Sequence, residues 1–147
     1  MSLLETINIG ANAVDVHSKR IDIAAKNMAN LDTPNYVRKI PILNSTDDIS
    51  FSGVMNSMKQ SVFSSGTIPL VQGGVSFTGI IEDPNRGEKL YKPGHPDADK
   101  NGYIYASNVS PLVEMADATL AQRAYEANLA IVTIAKAMAQ RAVEIGR

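Results

Sequence analysis

The two ends of the chain carry the same apolar heptad pattern, and this pattern limits the fold more than any other feature. The N-terminal stripe consists of Leu4, Ile7, Ala11, Val14, Ser18, Ile21, Ala25 and Met28. The C-terminal stripe consists of Val113, Ala116, Leu120, Ala124, Ala127, Ile131, Ile134 and Met138. Alternating steps of three and four residues place such a stripe along one side of a helix and favour left-handed coiling with a partner.

The predicted fold is mainly α, with paired N- and C-terminal coiled-coil helices and a small β-rich, irregular middle insertion. The first helix should end near Asn30, and the last should run from Pro111 to about Ile145. Residues 1–31 and 110–147 would form the helical unit, and residues 32–109 the turn- and strand-rich middle segment. The obvious partner for each stripe is the other one.

Two long helices and a small insertion leave much apolar surface uncovered, so we also expect packing between molecules. The residues predicted to form this assembly interface are the large or central members of both stripes. They are Ile7, Val14, Ile21, Met28, Leu120, Ala127, Ile131, Ile134 and Met138. This design is typical of a self-associating building block rather than of an enzyme.

The middle segment is divided by turn signals. The predicted hinge after the first helix comprises Asn30, Thr33, Pro34, Asn35 and Tyr36, because Asn favours turns and the residue before proline avoids helical geometry. Residues 36–43 should be extended but interrupted at the proline in position 41, and residues 44–73 should form a loop or a poorly packed hairpin. Short strands are expected over residues 75–82, 88–91 and 103–106.

Composition excludes several classes of protein. The chain has 147 residues, a net charge of −1 and no cysteine, so disulfides, thiolate metal sites and a nucleic-acid arm are not expected. Its start lacks the basic and apolar regions of a cleaved secretory signal. The longest strongly apolar run, residues 129–135, is too short to cross a bilayer, so no direct membrane insertion is expected.

Few side chains suggest catalytic chemistry. His95 lies near Asp97 and Asp99, but this Pro- and Gly-rich stretch has no second histidine nearby, and a solvated turn is favoured over a metal or general-base site. His17 falls beside the N-terminal stripe and is expected to be a partly buried interfacial residue. We therefore predict no catalytic, cofactor-binding or metal-binding residues.

Three segments resemble the bacterial flagellar rod and hook proteins. Residues 18–36 contain the family's Arg-hydrophobic-Asp segment, then Asn-hydrophobic-Ala-Asn, then Thr-Pro-Asn-Tyr, with Asn35 where glycine is common. Residues 123–128, Arg-Ala-Tyr-Glu-Ala-Asn, are similar to the family's closing helix. Residues 91–103 are similar to the Pro-Gly-x-Pro-x-Ala-x-x-x-Gly-Tyr segment of a proximal rod subunit. The resemblance covers roughly residues 1–40 and 88–147.

The resemblance implies a structural axial subunit of the proximal rod, which links the membrane-embedded base to the hook and transmits torque. It implies location in the flagellar basal body, in the periplasmic space. It also implies export from the cytoplasm by the flagellar type III apparatus without a cleaved signal. The implied partners are copies of the chain itself, the FlgB, FlgF, FliE-type and FlgG-type subunits, and the MS ring and export gate.

Two alternatives remain open on the sequence. A soluble coiled-coil adaptor or export chaperone would use the stripes for transient binding and form a small closed oligomer, whereas a rod subunit would enter a helical tube with unlike neighbours. A small enzyme using the loop around His95 would need an ordered pocket and a titrating group with a perturbed pKa.

Overall fold

A computed structural model of the chain describes residues 3–45, 55 and 73–146. Two long helices, α1 (Leu3–Ala29) and α2 (Pro111–Ile145), flank four strands, β1 (Lys39–Ser45), β2 (Val75–Glu82), β3 (Lys89–Tyr91) and β4 (Tyr103–Tyr105). This confirms the predicted mainly α fold with a small β insertion. Most of the predicted loop over residues 44–73 lies outside the described residues.

Both helices end where sequence signals predict. At the end of α1, the Asn30 amide donates to the Asn27 carbonyl at 3.1 Å, and the next turn passes through Pro34 to Asn35. Asn35 has φ 59°, a left-handed geometry that asparagine tolerates better than most residues. Helix α2 begins at Pro111, whose missing N–H costs nothing in the first turn.

The strands pair as two separate antiparallel ribbons. In the β1–β2 ribbon, Lys39 is opposite Glu82 and Ser45 is opposite Val75, with an irregularity between Ile42 and Leu43. The predicted interruption at Pro41 is wrong, since β1 continues through that residue opposite Ile80. Each strand of a two-stranded sheet has a free edge, where proline is tolerated. The second ribbon pairs β3 with β4.

The two helices pack antiparallel along a seam that differs from the predicted one. Residue 10 of α1 lies against Val132 of α2, whereas Asn27 bonds to Glu114 at the other end of the seam. The buried residues of the helices are Gly10, Ala13, Val16, Ile23, Ala24 and Asn27 on α1, and Glu114, Ala121 and Ala135 on α2. The prediction that the two stripes pair with each other is therefore wrong.

Small residues explain why the two helices meet on this face. Ala121 and Ala135 let the backbones approach closely, and a Cβ built at Gly10 would lie only 2.6 Å from a methyl carbon of Val132. The larger apolar residues of α2 would hold the helices farther apart. Helix pairing is thus confirmed, but the seam joins small side chains of α2 to Val16, Ile23 and small residues of α1, with a polar cluster at one end, rather than joining the stripes.

Among the described residues, neither α1 nor α2 contains an apolar stretch of the length that a membrane span needs.

Replacing Gly87 with alanine is expected to destabilise the β3–β4 region. A Cβ at this position would lie 1.9 Å from the carbonyl oxygen of Ala106, an overlap with backbone that no rotamer can relieve. Forced overpacking typically costs about 1–3 kcal/mol. The matched control is Gly79→Ala, because nothing lies within 4 Å of a Cβ there. Urea denaturation would show the effect, and equal midpoints for the two variants would contradict this packing.

Candidate assembly surface and polar joint

A buried polar cluster connects the end of α1 to the start of α2. Asn27 is 0% exposed, and its side-chain oxygen accepts hydrogen bonds from the Tyr36 hydroxyl and the Lys39 amide, both at 3.0 Å. Its side-chain nitrogen donates to the Lys39 carbonyl at 2.8 Å and to a Glu114 carboxylate oxygen at 3.0 Å. All the hydrogen-bonding capacity of this amide is therefore used, as burial of a polar group requires.

Arg38 neutralises the buried carboxylate. Its guanidinium pairs with Glu114, which is 2% exposed, and also reaches Asp117 on the next turn of α2 at 3.3 Å. The Arg38 amide donates to the Asn108 side chain at 2.6 Å. We call Asn27, Tyr36, Arg38, Asn108 and Glu114 the polar joint, because they tie α1, the hinge, β1 and the start of α2 together.

Tyr36 is held in its protonated form within the joint. Burial raises the pKa of its hydroxyl, and the negative charges of Glu114 and Glu82 raise it further. A neutral hydroxyl can donate to Asn27, whereas a phenolate could not. Of the predicted hinge residues, Tyr36 is the one that enters the joint directly.

The other hinge residues organise the turn that delivers Tyr36. The Asn30 side chain donates to the Lys26 carbonyl at 2.8 Å, and the Thr33 hydroxyl donates to the Asn30 side-chain oxygen at 3.2 Å. Asn35 binds β4 twice: its amide donates to the Tyr105 carbonyl at 2.8 Å, and its side-chain oxygen accepts from the Tyr105 amide at 3.0 Å. The turn is therefore fixed to the second ribbon as well as to α1.

The stripe residues lie mainly at the surface of the subunit. Ile7, Val14 and Ile21 are half-buried and Met28 is exposed. On α2, Ala127 is exposed, and the large residues Leu120, Ile131, Ile134 and Met138 are 48–61% exposed. The structure thus aligns these four large apolar residues of α2 on a surface that α1 does not cover. We call this surface the α2 face.

The loop around His95 uses its polar groups within its own turns. The His95 ring nitrogen accepts from the Asp97 amide at 3.1 Å, and one Asp99 oxygen accepts from the Asn101 and Tyr103 amides at 2.8 and 2.9 Å. Within residues 3–45 and 73–146, no three His, Cys, Asp or Glu side chains converge as metal ligands would.

The Asp99 turn is expected to loosen in acid. Hydrogen bonds, foremost from the Tyr103 amide, hold the pKa of Asp99 below its ordinary value of 3.8. The depressed pKa means that the stabilisation is present above the unfolded-state value and is lost as pH falls through the folded-state value, below about pH 4. NMR hydrogen exchange should show declining protection of the Tyr103 amide in that range. Asp99→Asn should remove this pH dependence, and a constant wild-type protection would contradict the assignment.

The predicted hinge residues lie in the turn after α1, but most residues of the joint were not among those predicted from the sequence. Asn27, Arg38, Asn108 and Glu114 were not predicted as functional residues. Glu114 precedes Ala121 by seven residues and Asn27 follows Ala13 by fourteen, but these heptad spacings mark seam positions only once the structure shows that both alanines are buried. Polar residues at such positions commonly specify how helices pair.

The sequence of the chain is similar to those of flagellar basal-body rod proteins. Residues 100–145 match the model of the flagellar basal body rod FlgEFG protein C-terminal family. The flagellar basal-body rod protein FlgC of Bacillus subtilis is 33% identical, with 100% of both chains covered. FlgC of Buchnera aphidicola from Acyrthosiphon pisum is 34% identical over 99% of this chain and 98% of its own. FlgC of Salmonella typhimurium is 32% identical, with full coverage of both chains.

Proposed function

Because the chain belongs to the FlgC family of flagellar basal-body rod proteins, it is a structural rod subunit, and we propose that the α2 face is the surface through which it assembles. The observation that carries this proposal is the exposure of Leu120, Ile131, Ile134 and Met138 along one line of α2. An isolated soluble subunit would not usually expose so continuous an apolar surface, whereas an assembling subunit would bury it against a neighbour.

The two helices offer unlike surfaces to such a neighbour. The middle of the N-terminal stripe exposes small residues, Ala11, Ser18 and Ala25, between the larger exposed Leu4 and Met28, whereas the α2 face carries only large ones. Large side chains of one subunit could pack between the small residues of the next, in the knobs-into-holes manner of a coiled coil. Contacts between unlike surfaces are heterologous, and they build rings or open helical assemblies rather than closed dimers.

This proposal assigns different roles to the two parts of the subunit. Residues 1–31 and 110–147 form the assembling helical unit, and the hinge residues set the attachment of segment 32–109. The bonding of Asn35 to Tyr105 supports a rigid attachment, since the backbone amide and the backbone carbonyl of Tyr105 are both hydrogen-bonded to Asn35. A rigid attachment suits a part that transmits torque.

The family places the chain in the flagellar basal body, among other rod components and copies of itself. The specific partners are proposed from the resemblance to the family. They are the FlgB, FlgF, FliE-type and FlgG-type subunits, the MS ring and the export gate. Passage through the type III export apparatus as an unfolded chain belongs to the same proposal. The absence of cysteine is compatible with it, because no stray disulfide can form on the way.

A deletion strain complemented with a tagged copy tests the function. We expect the deletion strain to be non-motile, and the tagged chain to co-purify with isolated basal bodies at a constant ratio to the other rod proteins. A tagged chain that restores motility but stays in the cytoplasm and never enters basal bodies would overturn the proposal. That result would favour the adaptor or export-chaperone function instead.

A further inference from the structure

Helix α2 buries its less apolar side within the subunit. Its seam residues are Glu114, Ala121 and Ala135, whereas the larger Leu120 and Ile134 immediately precede two of them and remain exposed. Successive helical residues are offset by about 100°. A rotation of α2 by roughly that angle would therefore turn the α2 face towards α1 and bury more apolar surface.

We propose that the polar joint prevents this rotation and so keeps the α2 face outward and available for assembly. The inference rests on the proposed function only in giving the α2 face its purpose. The joint is suited to the task because it acts on the rotation of α2 directly: Glu114 lies on α2 itself, while Asn27, Arg38 and Tyr36 belong to α1 and the segment after it.

Rotation would break the contacts of the buried carboxylate. Turning Glu114 away would remove the acceptor for one Asn27 N–H and the buried partner of the Arg38 guanidinium, whose second carboxylate contact is the more exposed Asp117 at 3.3 Å. It would also leave the Asn27 amide buried with an unpaired donor, which is costly in a low-dielectric interior. A buried polar residue that selects one helix arrangement over a more apolar alternative is a known use of such groups.

The joint is also braced from outside the helix pair. The Lys39 amide and carbonyl hold the oxygen and the nitrogen of the Asn27 side chain, at 3.0 and 2.8 Å, so that side chain is oriented by contacts that do not involve α2. Asn108, three residues before Pro111, accepts from the Arg38 amide and donates to the Asn85 carbonyl. The start of α2 is thereby anchored beside the carboxylate that fixes its rotation.

Disulfide trapping in the full chain tests the proposal. The chain has no cysteine, so an engineered pair holds the only thiols. A Cβ at Gly10 would lie 4.0 Å from the Val132 Cβ, within the disulfide range of about 3.5–4.5 Å, so Gly10→Cys with Val132→Cys reports the observed rotation. Gly10→Cys with Ile131→Cys reports the rotated helix, and it includes Val132→Ala to remove the clash at residue 10.

We call these two cysteine pairs the residue 132 pair and the residue 131 pair. With the joint intact, mild oxidation should form the disulfide of the residue 132 pair and leave the thiols of the residue 131 pair largely reduced. With Asn27→Leu and Glu114→Leu added, we expect the preference to invert. Further addition of Ile134→Ser and Met138→Ser, which removes the apolar gain of rotation, should restore the original preference. An unchanged preference for residue 132 in the leucine variant would overturn the proposal, because the alanine seam alone would then set the rotation.

If the leucine variant loses its helical circular dichroism, the single variant Glu114→Gln replaces it in the trapping experiment. It removes the charge that pairs with Arg38 while keeping the side-chain shape. A rise in the residue 131 disulfide relative to the intact joint supports the proposal, and no rise contradicts it. Because trapping is measured on the purified chain, it can fail while basal-body incorporation succeeds, and the reverse, so the two proposals are judged separately.

Discussion

Replacing Ile131 with aspartate is expected to abolish motility while the protein is still made and exported. Ile131 is 48% exposed in the subunit, so a carboxylate there can remain hydrated and the helix pair should fold. Full burial of such a side chain supplies about 1.5–3 kcal/mol, and assembly would lose roughly the half that the exposed part of Ile131 represents and add the desolvation of a charge. Because every copy carries the defect, assembly should fail. Swimming in soft agar and recovery of rods by electron microscopy measure the effect.

The control for this variant is Gln140→Asp. Residue 140 is also exposed on α2 but lies on a different side of the helix from the α2 face. The Gln140→Asp strain should swim normally, so a loss of motility confined to the Ile131→Asp strain assigns the effect to the apolar surface. Normal swimming by the Ile131→Asp strain would show that the α2 face is not needed for assembly.

Removing the Arg38 guanidinium is expected to cause the largest loss of stability from a single substitution. Arg38→Met leaves the Glu114 carboxylate buried, with the Asn27 amide as its remaining partner in the joint. Breaking a buried ion pair from one side typically costs about 3–5 kcal/mol. Denaturant unfolding followed by circular dichroism at neutral pH would give the change in the free energy of unfolding.

The exposed pair between Asp15 and Lys19 supplies the comparison. These side chains lie 2.6 Å apart but are 61% and 43% exposed, so Asp15→Asn should cost no more than about 1 kcal/mol. Adding Glu114→Leu to Arg38→Met removes the stranded charge and should recover part of the loss. If Arg38→Met proved as mild as Asp15→Asn, the joint would be a minor contributor to the fold.

The ends of the secondary-structure elements could be predicted because their signals are local. Pro34 follows the end of α1 and Pro111 begins α2, and a heptad pattern runs along the length of each helix. The left-handed geometry of Asn35 could also be anticipated, since asparagine occupies the place where glycine is common in the family. The continuation of β1 through Pro41 could not, because it depends on the strand being at an edge.

The side on which the helices meet could not be predicted from apolar periodicity. Heptad spacing runs through more than one row of each helix, and hydrophobicity favours the row with Ile131 and Ile134. The row with Ala121 and Ala135 is used because small side chains permit close approach and because Glu114 must reach Asn27, 87 residues away in the sequence. A contact between such distant positions leaves no periodic signal in one sequence.

Electron cryo-microscopy of basal bodies that carry this chain would show directly what covers the α2 face in the assembled rod. We expect Leu120, Ile134 and Met138 to be buried against a helix of a neighbouring subunit. We also expect Glu114 to stay paired with Arg38 inside its own subunit. A rod in which the α2 face lies open to solvent, while the chain contacts its neighbours through other surfaces, would contradict the first of these expectations.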